Sequence, residues 1–523
     1  MKSLDLRRHI TLGIEHMRNT LDERRGFLPF FSYRLVAPPV SLSHGAFDCP
    51  HVVGRYLDAM SRCHGIVDTP DDSLEVSAMR RFIHSSIGEN GLAWNRAAKH
   101  QKEEVVTHNQ REVLEGLTGL GRWKDCDNSR KLARRVCRGI DQATRDSSGF
   151  PGPRYGRKGW GHPPEDQRYH RYGPPRDSGR LIGALVDYFR LTKDSLAVEL
   201  AIRFARYNMS VAFDENGSIA KTAGTHVHSI TGTVAGFVAL GLLIHDRALI
   251  EAAKRIYDMG LASLRSSFGW VKESLSDDSD KGLPNNIADV IKIALRLGKA
   301  GFTEYFEDAE RMVRNHLIAS QLMDTSWIQE TGDMEDTLEV IYRDVARRAK
   351  GGFAFCTPND FADLKNHPHG PEEIHADMVG GSLQGLCEAW NSIVWEDEVG
   401  IRINLLLTVD TDLARVRSSM PHNGKVLITP LKNTNLLVRI PSWCDRDELI
   451  IIKGGKTIPT TQQGAYLAIW DARHSEEIEV SFPMVKRTTK ECVNHKTYTV
   501  EWLGDTVVSI SPQGSFRPLY IEK

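Results

Sequence analysis

Glu273 lies in Trp270-Val271-Lys272-Glu273-Ser274, a carboxylate beside an aromatic residue, ahead of an acidic run (Asp277, Asp278, Asp280). Leu283-Pro284-Asn285-Asn286-Ile287-Ala288-Asp289 follows shortly after. Cleaving a glycosidic bond requires a carboxylic acid to protonate the leaving oxygen and a second group to attack or to activate water. Glu273 suits the first task. Asp289 suits the second, or is a carboxylate held in a helix's first turns by the helix dipole; the acidic run reads as a solvated loop. Gly224-Thr225-His226-Val227-His228-Ser229 brings two histidines to a point where a loop enters a helix. The expected catalytic set is therefore Glu273, His228, Asp289 and Asp360, the last three positioning or activating the attacking group, with His226 binding nearby.

Between Gly149 and Asp177 the chain interleaves Arg154, Arg157, Lys158, Arg168, Arg171 and Arg176 with Tyr155, Trp160, Tyr169, His170 and Tyr172. Aromatic faces stack on sugar rings, and guanidinium forks take a carboxylate or sulfate bidentately. Long ordered loops are often functional. The competing reading is a solvated, proline-stiffened insertion or an oligomer contact, such as a homodimer's. Trp160, Tyr169, His170, Arg171 and Tyr172 are expected to hold substrate, together with Asp48, His51, Asn285 and Cys356. Cys356 could serve as a nucleophile, but its neighbours supply no activating base, and a buried structural thiol is the plainer reading.

What positions these residues is a series of helices. Apolar residues at helical spacing recur through the first 395 residues as six pairs about 50–60 residues apart. The pairs begin near His51, Arg111, Arg180, His228, Asn286 and, more loosely, Asp360-Phe361-Ala362-Asp363-Leu364 with Gly381–Trp390. Six such pairs close into an (α/α)6 barrel whose long loops gather at one mouth. An open solenoid of shorter repeats is the alternative. After Trp395 the period changes to two. Strands are predicted at 400–407, 425–430, 435–440, 448–452, 465–470, 477–482, 497–502 and 506–510, a β-sandwich pattern. The expected domains are residues 1–397, the barrel, and 398–523, the sandwich.

The 523 residues carry 67 Lys+Arg against 68 Asp+Glu, a balance that argues against a nucleic-acid partner. No apolar run reaches the ~18 residues of a membrane span, and the first residues lack a secretory apolar core. Eight scattered cysteines without a CxxC pair read as reduced thiols, so a cytoplasmic protein is expected.

Several segments, in order along the chain, carry a family resemblance. Tyr305-Phe306-Glu307-Asp308-Ala309-Glu310-Arg311-Met312-Val313-Arg314-Asn315-His316-Leu317-Ile318-Ala319 resembles the ERALYNxxLA helix of β-L-arabinofuranosidase-like glycoside hydrolases. Cys356-Thr357-Pro358-Asn359 resembles their CPPN segment, Leu283-Pro284-Asn285 their LPN, and His228-Ser229 their HAVR position. Arg439-Ile440-Pro441-Ser442-Trp443 and Phe482-Pro483-Met484 are similar to their RIPxW and PMPV strands. The resemblance implies an (α/α)6 barrel followed by β-sandwich modules, with Glu273 as counterpart of the family's acid. It also implies zinc held by a Glu and Cys after LPN and by a Cys-Cys pair. Here the residues after Leu283-Pro284-Asn285 include neither Glu nor Cys, and the pair has become Phe355-Cys356. The expectation is a divergent glycoside hydrolase without zinc or another cofactor, cleaving a small, acidic oligosaccharide. The alternatives are a sugar epimerase or isomerase working through mouth histidines (His226, His228, His170, His51) and a non-catalytic carbohydrate-binding homologue.

Overall fold

The computed structural model describes residues 4–69, 73–96, 98–161, 173–276, 280–332, 334–361 and 372–520. Its helices are α1 (Leu6–Asn19), α2 (Val53–Cys63), α3 (Leu74–Ser85), α4 (Asn109–Trp123), α5 (Asp127–Thr144), α6 (Leu181–Thr192) and α7 (Ser195–Ala212). They continue as α8 (Val227–Ile244), α9 (Arg247–Arg255), α10 (Pro284–Lys299), α11 (Tyr305–Met312), the single-turn α12 (Val345–Ala349) and α13 (Ala376–Ile393).

Six of them form a closed inner ring, in which α2 packs on α4, α4 on α6, α6 on α8, α8 on α10, α10 on α13 and α13 back on α2. The open-solenoid alternative is thereby excluded. The outer partners of the first five are α3, α5, α7, α9 and α11. The outer partner of α13 is α1, which the sequence reading overlooked. Asp360, expected to open the sixth pair, lies instead in an extended segment bridged to Pro518, and 362–371 fall outside the described residues. The barrel is thus completed by the start of the chain, through Leu6, Ile10, Ile14 and Met17 on the buried face of α1.

Tight turns reverse the chain between a ring helix and its outer partner. Lys193 and His245 adopt left-handed backbone, and the next residues, Asp194 and Asp246, accept the amides of Leu196 and Leu249 as N-caps. Helix α8 is apolar on every side because it faces both the ring interior and its neighbours, with 83% of it buried.

At Val394 the chain turns into strands. One sheet has the order 394–396, 401–403, 434–439, 466–472, 461–463; the other runs 409–410, 414–418, 425–430, 478–481, 450–453, 456–458. Their inward residues, among them Val426, Ile428, Leu436, Val438, Leu467 and Val480, belong to one core continuous with the barrel. The last strands do not join this sandwich. Lys486–Val493, Lys496–Leu503 and Thr506–Ser511 make a separate antiparallel sheet. Its Tyr498, Val500 and Trp502 pack with Phe268 and Trp270 of the barrel.

Two of the family-like segments hold each other at this junction. Arg439, fully buried, donates to Glu307 Oε2 at 3.1 Å and to Glu310 Oε2, both on α11, and to the Asn404 carbonyl at 2.6 Å. Their role is to clamp sandwich to barrel.

Candidate active site

All six inner helices turn their N-termini toward one end of the ring, where a cavity of about 300 Å³ opens. Each contributes chemistry from its first residues or the turn before: His51 (α2), His108 (α4), Arg176 (α6), His226 and His228 (α8), Asn285 (α10), His375 and Asp377 (α13). Glu273 enters from an extended segment and Arg154 from strand 154–156, and Phe31, Phe47, Leu283 and Phe355 supply apolar wall. Converging helix N-termini favour negative charge, which suits a carboxylate such as Asp377 in the first turn of α13.

Close helix approach sets the floor. A Cβ on Gly54 would strike the Glu112 carbonyl, and one on Gly116 would strike Gly54, so α2 and α4 touch backbone to backbone. This brings His51 and Arg55 of one helix against Glu112 of the other. Glu273 stands on an extended segment: its amide donates to the Lys281 carbonyl at 3.0 Å, and its carbonyl accepts the Val227 amide at 3.3 Å. The neighbouring Ser274 forms a bridge with His226. The third sheet buttresses this segment, with Lys272 Nζ donating to Asn494 Oδ1 at 2.9 Å and Ser267 N to Glu491 at 2.9 Å. Lys281 Nζ lies 3.2 Å from the Glu273 carboxylate and 3.7 Å from the Phe355 ring centroid.

Beneath the cavity lies a buried charge network. Three guanidiniums converge on His228 Nε2, from Arg55 at 3.0 Å, Arg180 at 3.0 Å and Arg111 at 3.3 Å. Since guanidinium only donates, Nε2 must accept, and the imidazole proton sits on Nδ1, 2.8 Å from Asp289 Oδ2. Burial first, and the facing arginines after it, push the His228 pKa down to about 3 although Asp289 pulls the other way. Burial works against charge on Asp289 too, but His228 and Lys292 hold its pKa well below the usual carboxylate range. Glu112 Oε1 accepts from Arg111 and Arg180, each at 2.8 Å. These charges outweigh burial and keep Glu112 ionised. Asp377 is likewise held ionised against burial, by His51 and Arg55, and accepts Asn285 Nδ2 at 2.8 Å.

Of the residues singled out from sequence, the structure gathers Glu273, His228, His226, His51 and Asn285 around the cavity. Four lie elsewhere. Asp289 is below the floor, engaged with His228, Lys292 and Thr231. The Asp360 carboxylate accepts the amides of Phe516 at 2.6 Å and Arg517 at 2.5 Å, fastening the C-terminal segment. Asp48 is buried among His44 at 2.7 Å, His100 at 3.1 Å and the Gly45 amide at 2.9 Å, a structural knot. Cys356 is buried with its Sγ 3.5 Å from the Ala354 carbonyl, and burial raises its pKa well above the thiol range, so it is a packed thiol and no ligand of the cavity. Trp160 sits in the same hairpin as Arg154, paired with Tyr155, and packs on Phe150 and Tyr155 with ring centroids at 5.8 and 5.1 Å, outside the cavity lining. Tyr169, His170, Arg171 and Tyr172 lie outside the described residues.

Sequence reading missed His108, Glu112, His375, Asp377 and the three floor arginines. A signal was present for some: Arg111-Glu112 sits directly ahead of the apolar run Val113-Leu114, and His375-Ala376-Asp377 opens an apolar helix.

The donor set does not fit the thiolate zinc of the resembled family. No cysteine lines the cavity among the described residues, and the position beside Cys356 is Phe355, whose ring forms wall.

The architecture is the six-hairpin glycosidase fold. The chain is similar in structure to a GH127 β-L-arabinofuranosidase from Geobacillus stearothermophilus T6, with a TM-score of 0.61 at 13% identity over 95% of this chain and 80% of that one. A second GH127 β-arabinofuranosidase also has a TM-score of 0.61, at 14% identity over 95% and 79% of the two chains. A sugar epimerase from a ruminal bacterium is also similar, with a TM-score of 0.51 at 13% identity over 73% of this chain and 97% of that one. No known family's sequence profile matches the chain, and no curated protein is similar to it in sequence.

Proposed function

We propose that this protein is a glycoside hydrolase that removes a residue from one end of a small, acidic oligosaccharide by carboxylate chemistry, with no thiolate-bound zinc. The observation that carries the reading is that Glu273 and Asp377 line one cavity of about 300 Å³, with Arg154 and Arg176 at its wall. Glu273 is the proton donor to the leaving oxygen. Asp377, held ionised, faces the positive charge that develops on the sugar and attacks it or activates water. Arg154 and Arg176 match a substrate carboxylate. His228 is no proton carrier in this scheme, since its ring is fixed in the neutral form by the arginines and Asp289.

A second, open groove of about 800 Å³ borders the first, lined by Trp94, Tyr155, Asn90, Asn95, Glu103 and Arg157. Strand 154–156 divides the two, with Arg154 on the cavity and Tyr155 on the groove. It offers an aromatic platform for the remainder of an oligosaccharide. The resemblance in fold to β-L-arabinofuranosidases supports hydrolysis.

The test is a panel of aryl glycosides and uronate-containing oligosaccharides with product analysis. Release of two sugars from one supports hydrolysis; inertness across the panel removes it. Five histidines at the mouth (His51, His108, His226, His228, His375) favour a second reading, epimerisation or isomerisation, in which a single product has the mass of the substrate.

A further inference from the structure

We infer that His51, His108 and Glu112 form a binding site for a zinc-like divalent cation at the cavity floor. Their ligand atoms lie within 4.8 Å of one another, and all three side chains are buried. Two histidines and one glutamate, with a fourth position open to substrate, are a ligand set that zinc takes in catalytic sites. Departing from the sequence expectation, a metal is therefore assigned, at residues other than those of the resembled family's thiolate site.

Three observations support the assignment. The first is unmet bonding: His51 Nδ1, His108 Nδ1 and Glu112 Oε2 are buried and make no hydrogen bond. Leaving such atoms unpaired costs about 1–3 kcal/mol each, and each belongs to one of the three residues whose ligand atoms cluster. His51 Nδ1 stands 3.4 Å from Glu112 Oε2 without the geometry of a hydrogen bond, a separation two ligands of one cation would keep. The second is orientation from behind. His51 Nε2 faces Asp377 Oδ2 at 3.8 Å, so the far side of the ring points at a carboxylate, as metal-bound histidines generally do. Glu112 Oε1 is already held by Arg111 and Arg180, which fixes the carboxylate and leaves Oε2 facing His51. The third is access: His51 and His108 line the cavity, so an ion held in their ring planes together with Glu112 would present its open position to a sugar oxygen. The other His/Asp cluster, His44, Asp48 and His100, is equally close-set, but its atoms are already engaged: His44 bonds Asp48 and Asp22, and Asp48 also takes the Gly45 amide and faces His100.

The site rests on the donor set and not on hydrolysis, so its test is read without turnover. Full-length protein stripped with a chelator is titrated calorimetrically with Zn²⁺, and with Co²⁺ followed by its visible absorption. One ion per chain is expected. His108→Ala should weaken zinc binding about 100-fold or more, with Asp377→Asn losing about 10- to 100-fold through the ligand it orients. His44→Gln should leave binding unchanged. X-ray absorption on the zinc-loaded wild-type chain, which needs no variant to fold, should show imidazole and carboxylate ligands. Failure to bind zinc, binding undiminished in folded His108→Ala, loss in His44→Gln alone, or sulfur in the coordination shell would each overturn the proposal.

Discussion

His228 Nδ1 lies 2.8 Å from Asp289 Oδ2, across the seam between α8 and α10 and directly beneath the cavity. The aspartate fixes which nitrogen carries the proton, and the arginines on the opposite nitrogen fix the ring's plane. Removing one partner of a buried charged pair leaves the other uncompensated, at about 3–5 kcal/mol. Asp289→Ala should therefore lose that much stability in urea unfolding, with Lys292 and His228 both stranded. A loss under about 1 kcal/mol would show that water replaces the carboxylate freely.

Glu273→Gln and Asp377→Asn should each lower kcat about 10²- to 10⁴-fold on a confirmed glycoside. Glu273→Gln should keep the wild-type melting temperature, because the segment is held by backbone hydrogen bonds and by the third sheet. Undiminished turnover in Glu273→Gln would remove it as proton donor.

Trp94→Ala should raise KM for oligosaccharides roughly 3- to 10-fold, a stacking contribution of about 0.5–1.5 kcal/mol. Aryl monosaccharides, which end within the cavity, should be handled as before. Equal effects on both substrates would place the groove outside substrate binding.

His316 is fully buried beside Phe268 and Tyr520, and burial pushes its pKa down to about 3. The unfolded imidazole takes a proton near pH 6.5, so between these values the unfolded chain holds more protons. Stability should therefore fall as pH falls below about 6.5, by about 2 kcal/mol at pH 5 from this residue. In His316→Asn the loss between pH 7 and pH 5, measured by urea unfolding at both, should be smaller by that amount. An unchanged difference would mean that His316 takes up a proton while folded.

Ile10→Ala should destabilise the barrel by about 2–5 kcal/mol, as expected for a buried position, although Ile10 is far from the chemistry in sequence. Thermal unfolding of the whole chain checks it; a loss confined to fraying of α1 would show that the ring stands without its first helix.

The ring was legible in the sequence because each pair repeats the same apolar stripe, and the turns at Lys193-Asp194 and His245-Asp246 carry their own caps. Helix α1 was not, since its partner α13 lies at the other end of the barrel sequence and periodicity says nothing about which stripes meet. For the candidate site, Glu273, His226, His228, His51 and Asn285 could be found because residues at helix starts of a closed ring share one mouth. Asp360 and Asp48 misled because a carboxylate in a loop looks the same whether it faces a cavity or receives backbone amides. Glu112 and the three arginines escaped notice because a charge inside a helix reads as solvated until the ring shows that it points inward.

The pairing of α1 with α13 has a bearing on synthesis. Made about 360 residues ahead of its partner, α1 exposes Leu6, Ile10, Ile14 and Met17 until Ala376–Ile393 leaves the ribosome. Nascent barrel chains therefore carry an unsealed gap with a greasy strip on one lip. Helper proteins that shield such strips, and slow decoding before the last ring helix, should set how much of this polypeptide reaches its finished form.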